Sequence, residues 1–162
     1  YVNHPEGRVW RQNLRSVAES NATLILLYLV GACEREPLGR WVSFLELPNG
    51  AHHHQPFVQE AIRPLEREFG ACPEKLSVAA RRLGGRETRM GDAGVVIPSL
   101  PRIPLAFAVW GADDEFPARA TALFDAGAGL HLDTAGLYML GINTSLRLRQ
   151  ELAFFTLHEN PR

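Results

Sequence analysis

Cysteine is scarce. The 162 residues contain two, Cys33 and Cys72, each isolated, with no CxxC pair. An iron–sulfur cluster held within this chain and a four-cysteine zinc site are therefore excluded. A disulfide between the two is compatible with the sequence but not implied by it. The plainer reading is two reduced, largely buried thiols in a cytoplasmic protein. Excess positive charge is also missing: 17 Lys and Arg face 18 Asp and Glu, a net charge of -1. That balance supplies no basic field for a phosphate backbone, which argues against a nucleic-acid partner. Long apolar runs are lacking too. The most apolar, residues 24–30 with Gly31 and Ala32 after it, falls far short of the ~20 residues of a membrane span. It reads as a buried helix, and no basic segment and cleavage site mark it as a signal peptide.

The phosphate-cradling patterns G-x-G-x-x-G and G-x-x-x-x-G-K-[ST] do not occur, and neither Ser43 nor Ser99 sits in a G-x-S-x-G elbow. Repeats, low-complexity tracts and dividing linkers are missing as well, so residues 1–162 read as one domain. With 46% hydrophobic and 22% charged residues the chain has an ordinary globular composition.

What is present reads as α+β: a small antiparallel hairpin sheet packed with several helices. Tyr1 and Val2, before the turn signal His4-Pro5-Glu6-Gly7, look like the end of a strand whose start lies upstream. Ser20 and Asn21 can cap a helix over residues 22–33. Helical spacing of Phe57, Val58, Ala61, Ile62, Leu65 and Phe69 predicts a helix over 56–69, kinked near Ala61 by Pro64. A further helix over 73–83 ends at Gly84-Gly85. Strands are expected over 87–90, 93–97 and 103–110. The last is apolar on both faces, so it should be covered on both, and Pro104 calls for an edge position or a bulge. After it comes the acidic turn Asp113, Asp114, Glu115, and Pro117 suggests a helix reaching Phe124. Asp133 or Thr134 caps a final helix with Leu137, Leu140, Leu148 and Leu152 on its core stripe.

Histidine is the conspicuous chemistry. If the run His52-His53-His54 is extended, His52 and His54 share a face and make a workable pair of metal ligands for zinc, copper or nickel. If it is a solvated turn after Pro48-Asn49-Gly50, they hold nothing. The carboxylates of the acidic turn can cap the next helix or attract a cation or basic partner, with Asp125 joining them if the chain folds back. Arg102, between the prolines of LPRIP, suits a carboxylate ligand or an internal ion pair.

The segments LILLYLVGA, GRWVSFLELPNG, QPFVQEAIRPLEREFG, PRIPLAFAVWGADDEFPARATALFD and HLDTAGLYMLG resemble an uncharacterised prokaryotic family catalogued as domain of unknown function 3786, across about residues 22–148. That resemblance implies an anaerobe's protein and a link, by association, to iron–sulfur and corrinoid metabolism. This chain departs from the family in having no cysteine cluster and in carrying His52, His53 and His54 where aromatic residues are expected.

The leading expectation is a non-catalytic binding module for a metallocofactor, a transition metal or a tetrapyrrole, held between hairpin sheet and helices. Its cofactor-binding residues would be His131, Trp110 and Arg102, its metal ligands His52 and His54. The rival is a protein-interaction or assembly subunit that uses the N-terminal strand edge and the acidic turn. An enzyme would need Asp113, Asp125, His131 and Arg102 to converge in pairs.

Overall fold

The computed structural model describes Val2–Asn3, Arg8–Val9 and residues 19–159, with side-chain environments for residues 21–154. The turn at residues 4–7, with His4, lies outside the described residues. Strand β1 (Val2–Asn3) pairs with β2 (Arg8–Val9) in a short antiparallel ladder. The main sheet has five antiparallel strands: β3 (Trp41–Ser43), β4 (Arg86–Thr88), β5 (Ala93–Leu100), β6 (Ile103–Trp110) and β7 (Arg119–Asp125), in the spatial order β3-β7-β6-β5-β4. Around it lie α1 (Glu19–Gly31), α2 (His54–Phe57), α3 (Arg63–Phe69), α4 (Lys75–Arg82) and α5 (Thr134–Glu159). The domain is α+β, as its patterning indicates.

β6 is the central strand. Ile103, Leu105, Phe107 and Val109 enter the main core on one face, and Ala106 and Ala108 are buried on the other. Both faces are covered, as the absence of polar alternation requires. Pro104 stands opposite Pro98, beside a register shift between Pro98 and Leu100, while the ladder to β7 begins only at Leu105. Two prolines that cannot donate thus face each other at a bulge, where no ladder bond is lost.

β7 corrects the helix expected after Pro117. Ala118, Ala120 and Ala122 favour a helix by propensity, yet Ala122 and Phe124 pair with Phe107 and Leu105 and are buried. Alternating burial against a neighbouring strand outweighs the few tenths of a kcal/mol in propensity. The acidic turn is therefore the loop of a β-hairpin rather than a helix start. Asp113 closes that loop on itself: its Oδ1 accepts the N–H groups of Glu115 (2.9 Å) and Phe116 (2.6 Å), and its own N–H donates to Phe116 O. Those two N–H groups hold its carboxyl below the usual aspartate range. Asp114 and Glu115 stay exposed.

The helices follow the sequence more closely. α5 starts where Asp133 Oδ1 accepts the N–H of Gly136 (2.8 Å), and it buries Leu137, Leu140, Leu148 and Leu152 as expected. It packs on α1, α3, α4 and β5. α1 is not the buried helix its composition suggested. Leu24 and Tyr28 are buried, but Leu27, Leu29 and Val30 are 45%, 56% and 89% exposed. The kink expected near Ala61 is a π-helical turn, Val58–Ile62, between α2 and α3. Pro64 has no N–H to bond and would crowd the carbonyl of Glu60, and one wide turn relieves both problems.

Candidate functional site

β3 is short. It pairs with β7 only from Leu123 to Asp125, after which the chain leaves the sheet. Glu46 directs the exit, its Oε2 accepting both the N–H and the hydroxyl of Ser43 at 2.7 Å, which holds its own carboxyl low. Two 3-10 turns follow, Phe44–Glu46 and Gly50–His53, joined through Asn49 in the left-handed region at φ 59. A Cβ on Gly50 would lie 2.0 Å from the Phe44 carbonyl oxygen, so this fold-back needs glycine.

Beyond Ser43 the outer edge of β7 has no strand against it, and α3 approaches instead. Glu66 Oε1 accepts the Ala120 N–H at 3.3 Å while its Oε2 holds Arg63 Nη1 at 2.9 Å. Between this edge and the α2–π–α3 rod opens a cleft of about 320 Å³. Its floor is apolar, with Phe44, Phe57 and Ile62 among its walls, and its polar groups include Ser43, His54, Arg63 and Arg119. Phe44 and Phe57 stack with centroids 4.4 Å apart, and Phe124 and Tyr138 tilt against them. The charged side chains of its lining are Arg63, Glu66 and Arg119, and with Arg63 and Glu66 paired to each other the lining carries one net positive charge, which favours an anionic group. His54 is half-buried, and its buried Nδ1 has no hydrogen-bond partner.

The histidine run is helical, not extended. At about 100° per residue His52 and His54 point roughly opposite ways. His52 is exposed, whereas His54 lines the cleft. His53 faces a second opening of about 400 Å³ with Asp133 and Thr134, and its ring lies 6.0 Å from that of Tyr138. Among the described residues no three His, Cys, Asp or Glu side chains are grouped to hold a metal ion.

His131, Trp110 and Arg102 do not converge, and none of them lines the cleft. Arg102 precedes the start of β6 and Trp110 ends it, roughly 27 Å apart at ~3.4 Å per residue. Trp110 is 37% exposed, opposite Arg119. Arg102 takes the ion-pair alternative, with Nε 3.4 Å from Glu36 Oε1. Asp125 does not join the acidic turn, which lies at the other end of β7. It is buried and accepts the N–H groups of Leu38 (2.9 Å), Gly39 (2.7 Å) and Gly127 (2.8 Å).

His131 is buried at 1% exposure beside Cys33. Three of the residues singled out from sequence therefore hold one segment, the loop from Cys33 to Arg40: His131 at its start, Arg102 through Glu36, and Asp125 at Leu38 and Gly39. Sequence reasoning missed Arg63, Glu66 and Arg119. Only the i,i+3 spacing of Arg63 and Glu66 is visible locally.

Tyr138 ties α5 to the π turn by donating its hydroxyl to Glu60 Oε1 at 2.8 Å. Desolvation and then Glu60 push the phenol up to about 12. A raised value means the contact is intact below the ordinary tyrosine range near 10 and is lost as pH climbs toward 12. In an alkaline titration followed by phenolate absorbance, Tyr138→Phe should remove a late-ionising step seen in the wild-type protein.

No curated protein and no solved structure matches the chain. A family model does match, over residues 1–146, and by it the chain belongs to the family described as Domain of unknown function (DUF3786).

Proposed function

We propose that the chain is a non-catalytic binding module whose ligand enters the cleft between β7 and the α2–π–α3 rod. One observation carries this reading: an apolar, aromatic-floored cleft between sheet and helices is lined by His54, whose Nδ1 is buried without a partner. A buried polar atom left unpaired costs ~1–3 kcal/mol, which a partner in the cleft would recover. The π turn supports the reading, since wide turns of this kind recur at functional sites.

The donor set describes the ligand: an apolar body for Phe44 and Phe57, an acidic group for Arg119, and a position for an imidazole. A metallocofactor of the tetrapyrrole type, with carboxylate or amide side chains around an apolar ring, has all three, and His54 would be the residue to hold its metal. At about 320 Å³ the cleft would receive an edge of such a ring rather than enclose it. When bound, that group would supply the metal's ligand or redox chemistry, and this chain would orient it and shield one edge from water.

Natively purified protein is expected to carry visible absorption and bound metal, or to bind haem or hydroxocobalamin when titrated with them. His54→Ala should weaken that binding by about tenfold, roughly 1.4 kcal/mol. A colourless, metal-free protein that binds neither macrocycle better than His54→Ala does would sink the proposal.

A second reading rests on α1, whose Leu27, Leu29 and Val30 face solvent, and on Phe116, 58% exposed beside the acidic turn. Single exposed apolar residues are ordinary, but several on one helix suit a protein partner. The same purification separates the two readings. A subunit of a complex should co-elute with a defined partner, and a well-behaved monomer counts against it.

A further inference from the structure

Between Glu19 and Glu34 no residue carries a charge. Within that stretch α1 turns by about 100° per residue, which separates two faces. Leu24, Tyr28 and Gly31 share one of them. Leu24 and Tyr28 are buried in the core, and a Cβ on Gly31 would lie 2.8 Å from the carbonyl oxygen of His131. Asn143 on α5 donates its side-chain amide to Asn21 Oδ1 at 2.7 Å. These contacts fix α1 about its own axis, so its other face cannot roll inward. That face carries Thr23, Leu26, Leu27 and Val30, at the i, i+3, i+4, i+7 spacing of a helix–helix seam, with Leu29 at its margin. Leu26 is half-buried, whereas Leu27, Leu29 and Val30 are exposed. Leu130, exposed as well, extends the patch past the end of the helix, its carbonyl oxygen 3.8 Å from Cys33 Sγ.

We propose that this face of α1 packs against the same face of a second copy of the chain, as an antiparallel helix pair about a twofold axis. The pairing rests on α1 being an interaction surface, and it names the partner. Area is the first argument. The exposed parts of Leu27, Leu29, Val30 and Leu130 amount to about 400 Å² of apolar surface, as much as the largest patch on an ordinary monomer. A standard interface takes about 800 Å² from each partner, a little over half of it apolar. The α1 face therefore supplies nearly the whole apolar share of one dimer interface.

Charge is the second argument. A dissimilar partner is selected by complementary charges and by clashes with its competitors, and this face has no charge to complement. Packed on itself it buries no unpaired charge, and a twofold contact needs only a surface that complements itself. The antiparallel direction sets the positive N-terminal end of each helix beside the negative C-terminal end of the other. The seam is centred between Leu26 and Leu27. Each Leu27 then lies near the axis beside its own counterpart, and each Val30 meets a Thr23. None of these residues lines the cleft of His54, so the pairing does not depend on what that cleft binds.

Sedimentation of the purified full chain should show a monomer–dimer equilibrium with a Kd in the micromolar range. Leu27→Asp should raise that Kd by about a hundredfold or more, because two carboxylates would meet in an apolar seam. Its circular dichroism should match wild type, since Leu27 is exposed. Phe116→Asp, at the far end of β7, should leave the Kd unchanged. Leu27→Lys should dissociate the dimer as well. An equimolar mixture of Leu27→Asp and Leu27→Lys chains should dimerise again, which neither misfolding nor a dissimilar partner would produce. A dimer that Leu27→Asp leaves intact, or a mixture that stays monomeric, overturns the pairing. So does a monomer that binds a dissimilar protein, or neutral phosphatidylcholine vesicles, through Leu27, although α1 then remains an interaction surface. A monomer that retains nothing overturns the interaction reading together with the pairing.

Discussion

Asp125→Ala should destabilise the protein by about 3–4 kcal/mol, because three N–H groups lose one charged acceptor together. The carboxylate is 1% exposed and accepts from Leu38, Gly39 and Gly127 at 2.7–2.9 Å. Hydrogen bonds to a charged group contribute about 1.5–3 kcal/mol each, but bonds sharing one acceptor are not additive. Solvent can replace part of the loss at Leu38 and Gly39, which are exposed, and cannot at Gly127, which is buried. Asp125→Asn keeps the shape but turns one amide N–H toward these donors, so it should cost about half as much. Asp114→Ala, on the exposed acidic turn, should stay within about 0.5 kcal/mol of wild type. Urea unfolding of the three variants is the measurement. A cost under about 1 kcal/mol for Asp125→Ala would mean that the Cys33–Arg40 loop does not depend on this carboxylate.

The role of Asp125 shows which part of the molecule local sequence carries. The cap of α5, the core stripe Leu137 to Leu152, the bulge at Pro104 and the break near Ala61 each follow from residues within one or two turns. Each is found where the pattern puts it. β7 was misread because alanine propensity is a local preference, whereas its pairing with β6 is a long-range fact. The histidine run failed for a related reason. Its extended alternative needs period two after the Pro48-Asn49-Gly50 turn, but Gly50 folds the chain tightly onto Phe44 and starts a helical path instead. Cys33 and His131 are 98 positions apart, and no spacing rule connects them. α1 reads as buried on composition alone, and which of its faces meets α5 is decided by helix packing rather than by its own sequence. The candidate cleft was legible only as a place between sheet and helices, with His54 the one residue of its lining named as a candidate ligand.

Phe57→Ala should cost about 3–5 kcal/mol, the range for removing a buried aromatic ring. Phe57 is 2% exposed, stacks on Phe44 at 4.4 Å and touches Phe124 and Tyr138, so its loss leaves a void where β7, α2 and α5 meet. Phe57→Leu should cost less, since most of the volume stays. The ring also explains Gly141. A Cβ there would lie 2.6 Å from Phe57 Cε2 and 2.8 Å from Cζ, with Phe124 Cζ at 3.1 Å. Gly141→Ala in the wild-type background should therefore cost about 1–3 kcal/mol through overpacking, despite alanine's better helix propensity. In the Phe57→Ala background the principal clash is gone, and the added methyl enters the vacated space. There the same glycine substitution should be neutral or stabilising, a coupling of about 1–3 kcal/mol within a double-mutant cycle. Additive costs would show that α5 does not close on the Phe57 ring. Because Phe57 also floors the cleft, Phe57→Leu should weaken any macrocycle bound there while the melting temperature falls only modestly. Unchanged binding in that variant would place the ligand elsewhere.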